Sequence, residues 1–372
     1  HALEPKDPVL GSGMTKALMT PRNLAIALGL GIIGLIAQNE LFAQTARVPV
    51  RVERLLDQPI IRPDLHPSIG ENIQGPSLIR VPDWVENRLG AYYLYFADHK
   101  GRYIRLAYAD DLLGPWHIHP PGSLQIEDSH FLTESPPVPA ERAEQFRAAG
   151  RLRGAPLSDD RLFEATTPHI ASPDVHVDTE HRQIVMYFHG LDGVSQQRSR
   201  VATSRDGIHF QARPEQLGRT YMRIFPHEGY TYALSMPGQV YRSRNPLGGF
   251  EEGPLLFNQD MRHLALLKRG ETLFVFWTQV GHVPERILLS TIDISNDWMT
   301  WSETPGVEVL RPEFDWEGAD APLEPSVRST AYGHVNQLRD PAIFEDTENG
   351  RTFLLYAVAG ESGIAIAELH LK

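Results

Sequence analysis

The chain contains no cysteine among its 372 residues. That excludes a disulfide framework and thiolate chemistry, so the fold has to hold by core burial alone. Basic runs are missing too. The chain carries 35 Lys and Arg against 47 Asp and Glu, a formal net charge of −12. An acidic chain without a cationic stripe is not built for nucleic acid. There is no zinc-finger spacing, Walker loop, dinucleotide fingerprint or G-x-S-x-G elbow, so the common nucleotide and serine-hydrolase sites are absent as motifs. An uncharged apolar run, Leu24 to Ala37, spans fourteen residues, short of the roughly 20 that cross a bilayer as a helix.

That run has a different reading. Lys16 and Arg22 precede it, and Leu41-Phe-Ala-Gln-Thr-Ala46 comes after it. A positive start, a short apolar centre and small residues at the exit make a secretory signal peptide. Residues 1–13 are expected to be an expression scar, with Met14 the natural start. Residues 14–46 are then the leader, cut after Ala43 or Ala46, and 47–372 form one domain, secreted or periplasmic and free of the membrane. The charges of segment 1–46 cancel: Lys6, Lys16 and Arg22 balance Glu4, Asp7 and Glu40.

Turn formers are abundant, with 30 Gly and 29 Pro, as a fold of many short strands requires. The stretch Gly75 to Trp116 shows the unit. Three apolar runs, Ser77–Val81, Ala91–Ala97 and Tyr103–Ala109, are each ended by turn residues. The middle run is aromatic, which suits a strand buried on both faces. Such a unit is one blade of a β-propeller. It recurs from Thr167, from Tyr221, from Met261 and from Arg339. The expected fold is therefore all-β, a single five-bladed propeller. The alternating segment Val48–Leu55 supplies the missing outer strand of the last blade and closes the ring. Between blades one and two, His117 to Ala165 reads as a polar connection with a helix at Ala140–Ala149.

In a propeller the inner strands line the axis. Their candidates here are Asn72 and Gln74, then His169, Asp174 and His176. Blade three offers Tyr221, Arg223, His227 and Glu228, blade four Arg262 and His263, and blade five Asn336, Arg339 and Asp340. So many ionisable groups at one axis mark a functional pocket.

Ser172-Pro-Asp-Val-His176 in blade two and Arg339-Asp-Pro341 in blade five resemble the five-bladed glycosidase superfamily, including family-43 arabinanases and β-xylosidases and the invertase-like enzymes. The resemblance covers roughly Ile73 to Leu371. It implies the fold and an oligo- or polysaccharide substrate; together with the leader, the expected function is a secreted carbohydrate-active enzyme acting on a plant or algal glycan. The resemblance also implies a pKa-tuning role for Asp174 and a transition-state role for Asp340. Two positions depart from the family: its general base falls at Gln74-Gly75-Pro76 and its general acid at Tyr221-Met222-Arg223, so neither carboxylate is carried over.

The remaining carboxylates permit hydrolysis by Asp174 and Asp340, with Glu228 in reserve. Arg223, Arg262 and Arg339 would hold an acidic sugar, with Gln74 and His176 as further contacts. With a uronate neutralised by arginine, His263 or Tyr221 could instead abstract a proton, making the enzyme a polysaccharide lyase. A glycan-binding propeller without chemistry is the third reading. No cofactor is expected, because no short-range metal motif occurs. Only convergence in space among His99, His169, His176, His189, His263 and His334 would make a divalent-cation site. Tyr92, Tyr93, Tyr95 and Phe96 read as blade core, and Trp84 and Trp316 as stacking candidates.

Overall fold

A computed structural model describes residues 50–149 and 161–371. The scar and the leader expected at 14–46 lie outside the described residues. The first strand, β1 (Val50–Arg54), belongs to no blade formed by its sequence neighbours. Blade one is β2 (Gln74–Arg80), β3 (Tyr92–Ala97), β4 (Tyr103–Ala109) and β5 (His117–Gln125). Two helices come next, α1 (Ala140–Ala148) and α2 (Arg161–Thr166). Blade two is β6 (Ile170–Asp178), β7 (Gln183–Gly193), β8 (Gln196–Ser204) and β9 (Gln211–Ala212). Blade three is β10 (Arg223–His227), β11 (Tyr230–Ser235), β12 (Gln239–Ser243) and β13 (Glu251–Leu255). Blade four is β14 (Met261–Arg269), β15 (Thr272–Gln279), β16 (Ile287–Asp293) and β17 (Val307–Leu310). The last blade holds β18 (Arg339–Asp346), β19 (Arg351–Ala357) and β20 (Ile364–Leu371), with β1 as its outer strand.

Among the described residues this makes five four-stranded antiparallel sheets, a five-bladed propeller. The closing strand lies where the alternation of Val50, Val52 and Arg54 predicts it. It pairs antiparallel with β20, from Val50 opposite Leu371 to Arg54 opposite Ala367. One expectation needs correction. The polar stretch after Trp116 opens with a strand, β5, despite Pro120 and Pro121. As the outer strand of its blade it has one unpaired edge, which tolerates prolines.

The middle strands are largely buried, as their aromatic runs require; Tyr93, Tyr95 and Phe96 are fully buried. Five apolar clusters sit between successive blades. Tyr95 and Phe188 join blades one and two, and Val185 and Tyr241 join two and three. Phe225 and Trp277 join three and four, and Phe276 and Tyr356 join four and five. Phe353 and Leu94 close the circle from five to one. Each blade therefore buries both faces, and the ring is held by a core at every joint.

The inner strands share a backbone device. Gly75, Ser172, Tyr221, His263 and Asp340 all have φ between 48° and 62°. In blades one, two, four and five the ladder slips at this residue, a β-bulge; in blade three the residue lies just before the strand. That is why β10 starts at Arg223 and not at Tyr221. In blade one the position is glycine for lack of room, since a Cβ would come within 3.0 Å of Ser172 Cα in the next blade. No helix among the described residues is long and apolar enough to cross a membrane.

Ring closure has a polar latch. Arg54 donates from Nε and Nη2 to the two oxygens of Glu317 at 2.8 and 2.9 Å, and from Nη1 to Glu313 at 2.8 Å. Glu317 is fully buried and also accepts from the Tyr356 hydroxyl at 3.0 Å. Removing one member of a buried pair strands the other charge. Arg54→Ala is therefore expected to lower the free energy of unfolding by about 3–5 kcal/mol in urea titrations. Arg51→Ala, whose pair with Glu53 lies in solvent, should leave the midpoint where it is. An Arg54→Ala midpoint equal to that of the parent chain would show that closure does not depend on the latch.

Candidate active site

A cavity of about 620 Å³ opens at the axis end of the inner strands. Ser172, Tyr221, His263 and Asp340, four of the five left-handed residues, line it, with their neighbours Gln74, Ala171, Thr220 and Arg262. The local backbone explains this. A regular strand sends side chains to its two faces, which here are covered by adjacent blades. One extra residue in the left-handed conformation redirects its own side chain along the axis.

Asp340 is the centre of the site. It is 1 % exposed. Its Oδ1 accepts from the Tyr221 hydroxyl at 2.9 Å, and Oδ2 is buried without a partner. Burial, and then the charge of nearby Glu361, push the Asp340 carboxyl up to about 6; the Tyr221 hydrogen bond and Arg339 pull the other way without prevailing. His263 stands 3.9 Å from Asp340 through Nε2 and touches Thr278 Oγ1 at 3.1 Å through Nδ1. Burial, then Arg262 and Arg339, hold its imidazole well below the usual range, in the neutral form. His189 is likewise lowered to about 3 by burial, then by His99 and Arg223. The Tyr221 ring lies 5.6 Å from the His263 ring and 6.3 Å from the His189 ring. Burial and Asp340 raise its phenol well above its ordinary value.

A second carboxylate lines the cavity from outside the propeller repeat. Glu164 on α2 pairs with Lys100 Nζ at 2.9 Å. It accepts from Thr330 Oγ1 at 3.2 Å, and from the Ser329 hydroxyl as well. Burial raises its pKa, but Lys100, His99 and Ser329 outweigh burial and hold it below the carboxylate norm. The site thus presents one carboxyl pushed towards neutrality and one held ionised.

Behind the wall runs a chain of buried charges. Arg262 forks onto Glu285 at 2.8 and 2.5 Å. Arg339 reaches Glu285 at 3.3 Å and Glu361 at 2.7 Å, and binds Gln337 Oε1 at 2.9 and 2.6 Å. Glu361 also meets His99 at 3.3 Å and accepts from Asn72 at 2.8 Å.

Of the residues expected from sequence, Gln74, Tyr221, Arg262, His263 and Asp340 come together on the cavity, with His99 and His189 from the candidate histidines. The others lie elsewhere. Asp174 accepts from the Ile224 amide at 2.9 Å and from His176 at 2.8 Å, stapling blade two to blade three. Burial raises the Asp174 pKa, but His176, Arg223 and the Ile224 amide lower it on balance. Arg223 donates to the Ser172 carbonyl at 3.1 Å and lies 4.0 Å over the Tyr221 ring. Arg339 is fully buried behind the cavity wall, and Glu228 sits in the exposed turn between β10 and β11.

The three arginines expected to hold an acidic sugar are not free on the cavity. Glu285 and Glu361 neutralise Arg262 and Arg339, while Arg223 donates from Nη1 to two backbone carbonyls and has its Nη2 buried without a partner. Glu164, Glu285 and Glu361 escaped the sequence reading because they lie in a short helix, at an isolated β-bridge and in a turn, where no periodicity marks them. Among the described residues, no three His, Asp or Glu side chains are placed to hold a metal ion.

The Asp340 shift is testable without substrate. Its folded pKa of about 6 lies above the unfolded value of roughly 3.9. Stability is therefore fully present below the unfolded pKa and is lost as pH rises through about 6. Asp340→Asn, which cannot ionise, should gain on the native chain across that window, by about 3 kcal/mol at most. Urea titrations at pH 4 and pH 7.5 measure it; equal differences at both would mean that Asp340 titrates normally.

No family model matches the chain. Among solved structures it is similar to a thermostable family-43 glycoside hydrolase: 13 % identity, 80 % of this chain and 88 % of that one, TM-score 0.49. It is also similar to a family-43 β-xylosidase/α-arabinofuranosidase from a compost microbial metagenome, in complex with xylotriose: 12 % identity, 86 % and 94 % covered, TM-score 0.49. A Cellvibrio cellulosa α-L-arabinanase complexed with arabinohexaose has 12 % identity, 80 % and 92 % covered, TM-score 0.45. Sequence similarity is much higher to the uncharacterized protein R118 of Acanthamoeba polyphaga mimivirus, 37 % identical over 324 residues, covering 80 % of this chain and 83 % of the viral protein. The chain belongs to the family of that mimivirus protein.

Proposed function

We propose that the chain hydrolyses a glycosidic bond in an oligo- or polysaccharide bound at the axial cavity, with Asp340 as the acid and Glu164 as its ionised partner. The observation that carries this reading is Asp340 itself: buried, with Oδ2 unpartnered and its pKa pushed up to about 6. A carboxyl in that condition donates a proton to a leaving oxygen at mildly acidic pH. Glu164, held ionised, suits a base or a nucleophile, and two carboxyls with pKa values pushed apart are the general arrangement for glycoside cleavage. Tyr221 positions the Asp340 carboxyl through its 2.9 Å hydrogen bond. Neutral His189 and His263, with Gln74, add donors and acceptors for sugar hydroxyls. The leader expected at residues 14–46 supports action outside the cytoplasm.

Elimination at a uronate, the lyase alternative, needs an arginine free to neutralise the sugar's carboxylate close to the base. Arg262, the arginine beside His263, is already forked onto Glu285. Hydrolysis makes no such demand.

The test is a panel of neutral and acidic glycans, following new reducing ends together with the ultraviolet absorbance of unsaturated uronates. Reducing ends without that absorbance are expected, with kcat falling as pH rises through about 6 while Asp340 loses its proton. Asp340→Asn should lower kcat by roughly 10²–10⁴-fold while still melting cooperatively. Unsaturated product would replace hydrolysis by elimination. No product from any glycan, or full activity in Asp340→Asn, would overturn the proposal.

A further inference from the structure

Beyond bond cleavage, and resting on that reading, we propose that the cavity selects saccharides carrying a carboxylate or sulfate group, held by Arg161 and Arg198 at its rim. These are not the arginines that the sequence points to. Two of the buried trio are neutralised, Arg262 by Glu285 and Arg339 by Glu285 and Glu361; Arg223 donates to the Ser172 and Met222 carbonyls and does not line the cavity. The arginines that remain on the lining are half-buried or exposed. Arg161 on α2 and Arg198 on β8 both line the cavity, as do Arg219 and Arg328.

Their partners differ. Arg328 has Asp260 at 3.1 Å, and Arg219 meets Glu252 only at 3.5 Å, both exposed pairs. Arg198 donates from Nη1 to the Gln197 carbonyl at 3.0 Å and has no carboxylate partner among the described residues. Arg161 has no ion-pair partner among them either. The carboxylates lining the same cavity are Glu164 and Asp340. Glu164 is matched by Lys100, and Asp340 stands at the bottom of the site as the acid. Among the described residues the cavity lining therefore carries unmatched positive charge at Arg161 and Arg198, on a protein whose net charge is −12.

A neutral glycan leaves those guanidinium groups with water. A carboxylate or sulfate presents two oxygens for a guanidinium fork, and a hydrogen bond to an ionised group is roughly twice as strong as a neutral one. A polynucleotide would need a long basic track to follow its backbone, which the chain lacks. An acidic group on the substrate itself is the anion that fits.

Binding to the full chain tests this without turnover, by calorimetry with trigalacturonate, a sulfated disaccharide and xylotriose. Trigalacturonate or the sulfated sugar should bind at least about tenfold more tightly than xylotriose, and added salt should weaken that preference. The stronger of the two anions identifies carboxylate or sulfate as the recognised group. In the double variant Arg161→Gln/Arg198→Gln, anion binding should fall by roughly ten- to hundred-fold. Xylotriose binding and the melting temperature should hold.

Equal affinity for all three sugars, or a double variant that binds the anions as well as the parent, would overturn the rim assignment. The two proposals fail separately. Tight anion binding with no new reducing ends removes hydrolysis and keeps the anion site. Hydrolysis of a neutral glycan, with no preference for anions, removes the anion site alone.

Discussion

A blade buried between two neighbours has no free face, and that constraint governs this protein. Strand side chains alternate between faces, so a regular inner strand would send every side chain into a joint between blades and leave the axis bare. The left-handed residue at Gly75, Ser172, Tyr221, His263 and Asp340 resolves the conflict. For the four that are not glycine, the conformation costs about 1–3 kcal/mol each. The packed joints on either side over-determine the backbone enough to hold it. Three of these residues, Tyr221, His263 and Asp340, are also in mutual reach, so the strained positions and the chemistry coincide.

The second constraint is charge. Arg262, Glu285, Arg339 and Glu361 form one buried chain that ends on half-buried His99, running from blade four through blade five to blade one. Buried ion pairs of this kind add little net stability over an apolar packing, but they fix geometry, because no member can move without exposing another's charge. Asp340 lies beside the end of this chain. Its neighbour Glu361 is held ionised by His99, Arg339 and Asn72, and that fixed negative charge helps to keep Asp340 protonated. Burial remains the larger cause of the upward shift, and the chain acts on the proposed acid in both directions, Glu361 raising its pKa while Arg339 and His99 lower it. Glu164, reached from α2 and braced by Lys100, Ser329 and Thr330, experiences the opposite environment.

By itself the sequence determined the architecture. Aromatic and β-branched runs bounded by Gly, Pro and Asp turns are local signals. Their fivefold recurrence, together with the lone alternating segment before blade one, was enough to specify five blades and the strand that closes them. It also marked Tyr221, His263 and Asp340, because the start of each inner strand is a position that the repeat itself locates.

Only the tertiary structure decided how the charges are shared. Arg262 and Glu285 are 23 residues apart and Arg54 and Glu317 are 263 apart, separations at which no spacing rule operates. Asp174 carries a family-like motif yet serves as a staple, because the adjoining blade presents the Ile224 amide to it. Glu164 enters the cavity from a helix outside the repeat. Which carboxylate is free, which is paired and which is protonated depends on burial and on partners brought in from distant turns, and a linear pattern of residue types does not encode those distances.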